Sequence, residues 1–285
     1  VLIAGVAQIA IQIPPLRSVF AAICSGWQIR SEAFKKIIIL MGPMILGLTV
    51  TQINTLADDL IAWWFSGSVE KGTSFILFGK EILFPLQRGS VSHLYYAQRL
   101  YQLPLGVFGI SLATAIFPVM STFAAKKDLQ GLCKTVSHGL RSAAFIAIPA
   151  TIGLAAIARP LISVAFEHGK FGQVRDDTGM VAWTLLFYSI GLCGYFAQQV
   201  LTRAFYSMQD SKTPMRSALI AVMANIVLNL TLIWFLGTGG LALSTAVCSY
   251  LQVVILVMFL RRSLRHKGAE ASILDGLGLT LLKTV

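Results

Sequence analysis

Apolar residues run along this chain in blocks too long for the interior of an ordinary soluble domain. A helix that crosses a bilayer needs about 20 predominantly apolar residues, rising about 1.5 Å each. Six blocks reach that length: Ile37–Phe65, Val91–Phe117, Val136–Ala158, Met180–Tyr206, Met215–Leu236 and Leu241–Leu260. Backbone polar groups in hydrocarbon must be satisfied within the segment itself, so runs of this length predict helices. Val1–Ile13 reads as the tail of an earlier span, stopped by Pro14-Pro15, and Ile273–Val285 as the start of a later one. With no initiator Met, the chain reads as a fragment cut at both ends. The expected fold class is an all-α integral membrane protein, a polytopic bundle of transmembrane helices.

The segments between the blocks alternate in basic charge. One set carries Arg17, Arg30, Lys35, Lys36, Lys126, Lys127, Lys134, Arg141, Arg203, Lys212, Arg216, Arg261, Arg262, Arg265 and Lys267; the other carries only Lys71, Lys80, Arg88, Arg159, Lys170 and Arg175. The positive-inside rule puts the richer set in the cytoplasm. Segment 14–36 is then a cytoplasmic connection, suited either to lie along the membrane surface or to act as a plain linker. Segment 261–285 is a basic cytoplasmic stretch leading into a further helix. Ser66–Ser90 falls outside; its Ile76-Leu77-Phe78 and Ile82-Leu83-Phe84 are more apolar than a free loop needs, which predicts a dip into the interface or packing on the bundle.

Composition agrees. Apolar residues make up 56% and charged residues 12%, with a mean hydropathy of +0.74, against about 25% charged in soluble domains. A net charge of +11 would point to nucleic acid in a soluble protein, but here it resides in topology-setting loops, and no basic stretch interleaves with aromatics as a strand-binding groove requires. Cys24, Cys133, Cys193 and Cys248 are too scattered for a zinc site or disulfide framework. No P-loop, nucleophile elbow or HExxH motif is present, so the residues give no support to an enzyme.

Polar residues inside the spans need a reason, since a charge at a helix centre costs at least about 2.5–3.5 kcal/mol. Arg99 lies roughly 12 Å into its span. Either it snorkels to the outer interface or it lines a cavity, where its planar fork would suit a phosphate or carboxylate. Gln98 and Gln102 are near in sequence, but only Gln102 is within helical reach of Arg99. Pro104, Gly106 and Gly109 then predict a bend. Asp58 and Asp59 are adjacent, about 100° apart on the helix, so they do not share one ligand set. Asn225 and Asn229 share a face, and Thr245 follows on the next block. Asp58, Asn225, Asn229 and Thr245, with a backbone carbonyl, form either a hard-oxygen site for a small cation or ordinary interhelical hydrogen bonding. Gly42, Gly47, Gly191 and Gly194 read as points of close helix approach, and Asp176-Asp177 as a solvated loop pair.

Several ordered stretches carry a family resemblance. Met41-Gly42-Pro43 through Val50-Thr51-Gln52-Ile53-Asn54 to Asp58, and Leu94-Tyr95-Tyr96-Ala97-Gln98-Arg99-Leu100 followed by Leu103-Pro104-Leu105-Gly106-Val107-Phe108-Gly109, resemble the MurJ (MviN) family of lipid II flippases. So do Arg203-Ala204-Phe205-Tyr206 with Gln209-Asp210-Ser211-Lys212-Thr213-Pro214, and Phe166-Glu167-His168-Gly169-Lys170-Phe171.

The resemblance implies a member of the multidrug/oligosaccharidyl-lipid/polysaccharide exporter superfamily, with residues 37–260 as the C-terminal six-helix lobe of a two-lobed flippase. It implies a transporter rather than an enzyme, in the bacterial cytoplasmic (inner) membrane. Its substrate would be lipid II, the undecaprenyl-pyrophosphate-linked peptidoglycan precursor, moved to the outer leaflet by alternating access. Membrane lipids and the cell-wall synthesis machinery are the other implied partners, and nucleic acid is not one. Arg99 falls on the family's cavity arginine, thought to engage pyrophosphate, with Gln98 and Gln102 beside it. Asp58, Asn225, Asn229, Thr245 and the Leu241 carbonyl fall where some members bind Na+, which would serve as the coupling ion. Asn229 stands where a member can carry Asp, Gln98 replaces a usual acid, and Gln199 stands where a lysine can occur. Two alternatives remain: another exporter of lipid-linked polysaccharide units, and a non-transporting scaffold for cell-wall synthesis.

Overall fold

The computed structural model of the chain describes residues 5–6, 10–11, 13–14, 32–67, 72, 74–77, 80–167, 171 and 176–266. Most of 1–13, most of the 14–36 connection, the His168-Gly169-Lys170 part of the outer-loop motif and the expected late helix from Ile273 lie outside the described residues. The chain divides into two compact units, Val1–Gly42 and Pro43–Val285, and every site described below belongs to the second.

Helix α1 (Glu32–Trp64) is 33 residues long and covers the expected first block. Next come two short strands, β1 (Ser74–Leu77) and β2 (Lys80–Leu83), paired antiparallel with Ser74 opposite Leu83. They are the one addition to the helical plan among the described residues. The outer segment returns to the bundle at its end: Leu86 donates its amide to Phe65 O at 3.3 Å, accepts from Gly67 N at 3.1 Å, and is buried. Packing on the bundle, rather than a free loop, is thus the fate of this end of the segment.

Helix α2 (Ser90–Pro104) runs through a π-helical stretch, Leu105–Ile110, into α3 (Ser111–Ala125). Then follow α4 (Leu129–Ala156), α5 (Ala158–Phe166), α6 (Asp177–Ile190), α7 (Leu192–Ser207), α8 (Lys212–Leu236) and α9 (Thr238–His266). Aspartates start several of them, because a carboxylate satisfies amides that the first turn leaves without partners. Asp128 accepts from Gly131 N at 2.9 Å, Asp176 from Gly179 N at 2.9 Å, and Asp210 from Thr213 N at 3.0 Å. A single residue, Gly237 at φ +57°, joins α8 to α9.

Four helical runs are long and apolar enough to cross a membrane: Ser90–Ala125, Leu129–Ala156, Lys212–Leu236 and Thr238–Leu264; the α6–α7 pair, bent by 44°, makes a fifth. Each coincides with an expected block. Large apolar side chains face outward along them, among them Phe145, Val227 and Phe235, the last 83% exposed, an arrangement that suits lipid and not water. Trp63 and Trp64 at the end of α1, Trp183 early in α6 and Trp234 late in α8 sit at the ends expected outside, where indole rings prefer the headgroup level. Helix α7 lies in the interior, with Leu192, Phe196, Val200 and Leu201 buried to 0% exposure. Lipid tails are as apolar as these side chains, so close approach through small residues does more of the holding than solvent exclusion. At Gly194, a Cβ would overlap Ser249 Oγ of α9. The expectation of close approach at Gly194 therefore describes the packing of α7 on α9.

Candidate functional site

Asp58 is buried to 1% exposure although it sits on a membrane helix, so its oxygens need donors or a counter-charge. Two other helices supply polar groups. Asn229 of α8 donates from Nδ2 to Asp58 Oδ1 at 2.6 Å, and Thr245 of α9 donates from Oγ1 to Asp58 Oδ2 at 3.2 Å. Asn225, one turn before Asn229, lies 3.2 Å from Thr245 Oγ1, and the Leu241 carbonyl lies 3.2 Å from the same hydroxyl. Asn54, one turn before Asp58 on α1, approaches Oδ2 at 3.5 Å. Asp58, Asn225, Asn229, Thr245 and Leu241 are therefore brought together across three helices; Asp59, half-buried, lies off this face.

Protein donors alone do not complete this cluster. With the Asn225 oxygen turned inward, it accepts from Asn229 Nδ2 at 2.8 Å, but it also stands 2.9 Å from Asp58 Oδ1 and 3.2 Å from Asn54 Oδ1. Asn229 Nδ2 then serves two of these three crowded oxygens, Asp58 Oδ1 and Asn225 Oδ1, and none of the three can donate to another. With the amide turned round, its nitrogen can donate to both of those oxygens, yet it meets Asn229 Nδ2 at 2.8 Å, donor against donor. Asn229 Oδ1 is buried without a hydrogen-bond partner. Either way Asn229 Oδ1 lacks a donor, and a small hard cation or a proton beside it would supply a positive partner. No group of three or more His, Cys, Asp or Glu side chains assembles among the described residues, so the chemistry on offer is oxygen: one carboxylate, amides, a hydroxyl and a carbonyl.

Arg99 occupies a different kind of place. It is exposed, its guanidinium lies 4.8 Å over the Tyr95 ring, and Nη1 donates to Gln102 Oε1 at 3.3 Å. Tyr95 and Gln102 are four residues before and three after, the two positions a helix stacks beside residue 99. No carboxylate lies within ion-pair distance of Arg99 among the described residues. Gln98 turns away instead: its Nε2 donates to Tyr188 OH of α6 at 3.2 Å. Of the two glutamines expected beside Arg99, the structure joins Gln102 to it and gives Gln98 to the packing of α2 on α6.

Beyond Arg99, Pro104 ends α2, and Gly106 and Gly109 lie in the π-helical stretch. The irregularity expected at these residues thus takes the form of a widened turn. Gly109 is buried against Phe196 of α7, 3.2 Å from where its Cβ would stand.

Two features escaped the sequence. Asp177, read as solvated, accepts from the buried His93 Nε2 at 2.9 Å, joining the starts of α6 and α2. Its neighbour Asp176 caps α6 and meets Arg159 at 3.3 Å. The second is the break at Gly191 between α6 and α7, where no proline gives warning. The tight fit of this glycine was legible only in part: a Cβ there would come 2.7 Å from Tyr195 Cζ of its own next turn.

The chain has known relatives. A family profile described as Lipid II flippase MurJ matches residues 1–284. A probable lipid II flippase MurJ from Vibrio cholerae is 36% identical over 256 residues, covering 90% of this chain and 44% of that protein. One from Haemophilus influenzae is 30% identical, covering 90% and 47%. The chain thus spans about half the length of the curated relatives it matches. Among solved structures, a lipid II flippase MurJ in an inward closed conformation superposes with a TM-score of 0.62 at 23% identity, covering 88% of this chain and 52% of that one. A eukaryotic MATE transporter superposes at 0.67 with 18% identity, over 88% and 51%. At such identities the structural likeness speaks for the fold.

Proposed function

The chain belongs to the lipid II flippase MurJ family, multi-pass proteins of the bacterial cytoplasmic membrane, and on that premise we propose that it forms one lobe of a flippase for undecaprenyl-pyrophosphate-linked peptidoglycan precursor. In this reading residues 37–260 are the second six-helix lobe, and a first lobe faces them across a central cavity. The headgroup crosses the membrane by alternating access, without covalent chemistry.

Arg99 carries the reading. A guanidinium in the middle of an apolar helix is costly unless something repays it, and this one is exposed, without a carboxylate partner among the described residues, and steadied by Tyr95 and Gln102. A steadied guanidinium can give two parallel hydrogen bonds to a pyrophosphate. Gln102 holds one edge of it, and Gln98 acts at a distance through α6. The Asp58 cluster is assigned to a coupling Na+: Asp58 supplies the charge, Asn225, Asn229, Thr245 and the Leu241 carbonyl the remaining oxygens, and the orphaned Asn229 Oδ1 is the observation that favours a ligand there. Cell-wall synthases are the natural neighbours of such a protein, as consumers of its product.

The test is rescue of cells depleted of their own lipid II flippase by the full-length parent protein, wild type against Arg99→Ala at matched membrane levels. Rescue by wild type and not by Arg99→Ala is the expected result. Equal rescue removes Arg99 from the transport path, and failure of a well-expressed wild type favours another lipid-linked substrate or a scaffold.

A further inference from the structure

The break at Gly191 is held by more than its own chain. Gly191 N reaches back only three residues, to Tyr188 O at 3.0 Å, and just before it two successive carbonyls accept hydroxyls from neighbouring helices, while the Ser249 hydroxyl, which donates to Ala246 O at 2.7 Å, packs against the glycine. Thr151 of α4 donates to Ser189 O at 3.2 Å. Tyr250 of α9 donates to Ile190 O at 2.6 Å, and Ser249 Oγ lies 3.5 Å from Gly191 O. In hydrocarbon a bent helix keeps its shape only if the carbonyls it loosens find such donors. A ring fills the angle: Tyr101 of α2 stacks on Tyr188 before the break, centroids 4.8 Å apart, and on Tyr195 after it, at 5.2 Å. The Tyr250 donor and the ring come from elements that carry the two candidate sites, and Thr151 comes from a third helix, α4. Tyr101 is two residues past Arg99, and Ser249 is one turn past Thr245.

We propose that Tyr250 is a positioning residue for the transport cycle, holding the α6–α7 span at a hinge on Gly191 that links the Asp58 cluster to the helix of Arg99. The proposal rests on the flippase reading above. In it, displacement of α9 withdraws the Tyr250 hydroxyl, the span straightens, the Tyr188–Tyr101–Tyr195 stack opens, and α2 moves with Arg99.

The full-length parent protein in lipid nanodiscs tests this, with spin labels replacing Trp183 and Gln199 on the two halves of the span. Wild type should give the distance of the bent span. Tyr250→Phe, which removes one oxygen, should shift the bent-to-straight balance by about fivefold, the worth of one hydrogen bond, and slow flipping several-fold while leaving the melting temperature almost unmoved. Thr151→Val should shift the same distance from the opposite helix, which covers the case of a poorly folded Tyr250 variant. Unchanged distances in both variants overturn the hinge, and do so even if Arg99→Ala abolishes flipping and the flippase reading stands. Shifted distances in a parent protein that moves no lipid II uphold the hinge and sink the flippase reading instead.

Discussion

The Asp58 cluster and the Arg99 face are both polar intrusions into apolar helices, yet they are built on opposite principles. The cluster is buried and assembled from α1, α8 and α9, with Asp58 and Asn229 separated by 171 residues in sequence. Its members are bonded to one another, with Asn229 Oδ1 left over, so removing one leaves further buried atoms unpaired. The Arg99 face is exposed and local, made from one helix by positions three and four residues apart. Its groups steady one another without burial, so removing one leaves no buried atom unpaired. A residue can thus be costly to the fold or costly to the task, and the two regions separate those costs.

Three substitutions would break or sharpen that contrast. The largest effect is expected from Arg99→Lys in the full-length protein. It keeps the charge but loses the fork, so headgroup affinity should fall by about 2 kcal/mol, some thirtyfold, with no change in thermal stability. A matching drop in melting temperature would show that Arg99 belongs to the fold. Asp58→Leu should do the reverse, lowering stability by about 2 kcal/mol as Asn229 Nδ2 and the Thr245 hydroxyl lose their acceptor, and thermal unfolding in detergent would measure it. Unaltered unfolding would mean that the cluster is not knit as described. The smallest effect belongs to Asn229→Asp, which adds a second carboxylate. Thermal stabilisation by Na+ should then grow by about 1 kcal/mol over wild type at equal salt, while Li+, K+ and choline chloride serve as controls; a response common to all four salts would remove the cation assignment.

Much of this was legible in the chain, and the reasons for the rest are physical. Block length fixes where membrane helices lie, because hydrocarbon admits little else. The Arg99–Gln102 contact followed from helical spacing, and so did the doubt over Gln98, a neighbour in sequence that points elsewhere. Asp58 with Asn229 could be suspected but not settled from spacing, since nothing local says which helix faces which; the polar residues left a cation site and plain interhelical hydrogen bonding both open, and the family resemblance leaned to the former. Gly191 and Gly194 looked alike as small residues, but one is a break and the other a contact, a difference made by Tyr195, Ser249 and Tyr250. His93 and Asp177 were missed for the same reason: a loop aspartate becomes the partner of a buried histidine only when a distant helix presents it.

The link between α8 and α9 is one residue long. Gly237, at φ +57° and ψ −129°, lets the chain reverse in a conformation that side-chain-bearing residues rarely adopt. With so short a link, the rotational phase of α9 about its axis is set by counting residues. One inserted residue would turn everything after it by about 100° and carry Thr245 away from Asn225 and Asp58, although no ligand had been altered. The turn therefore acts as a length gauge: across related sequences its residue number should be as invariant as the polar residues it keeps in phase.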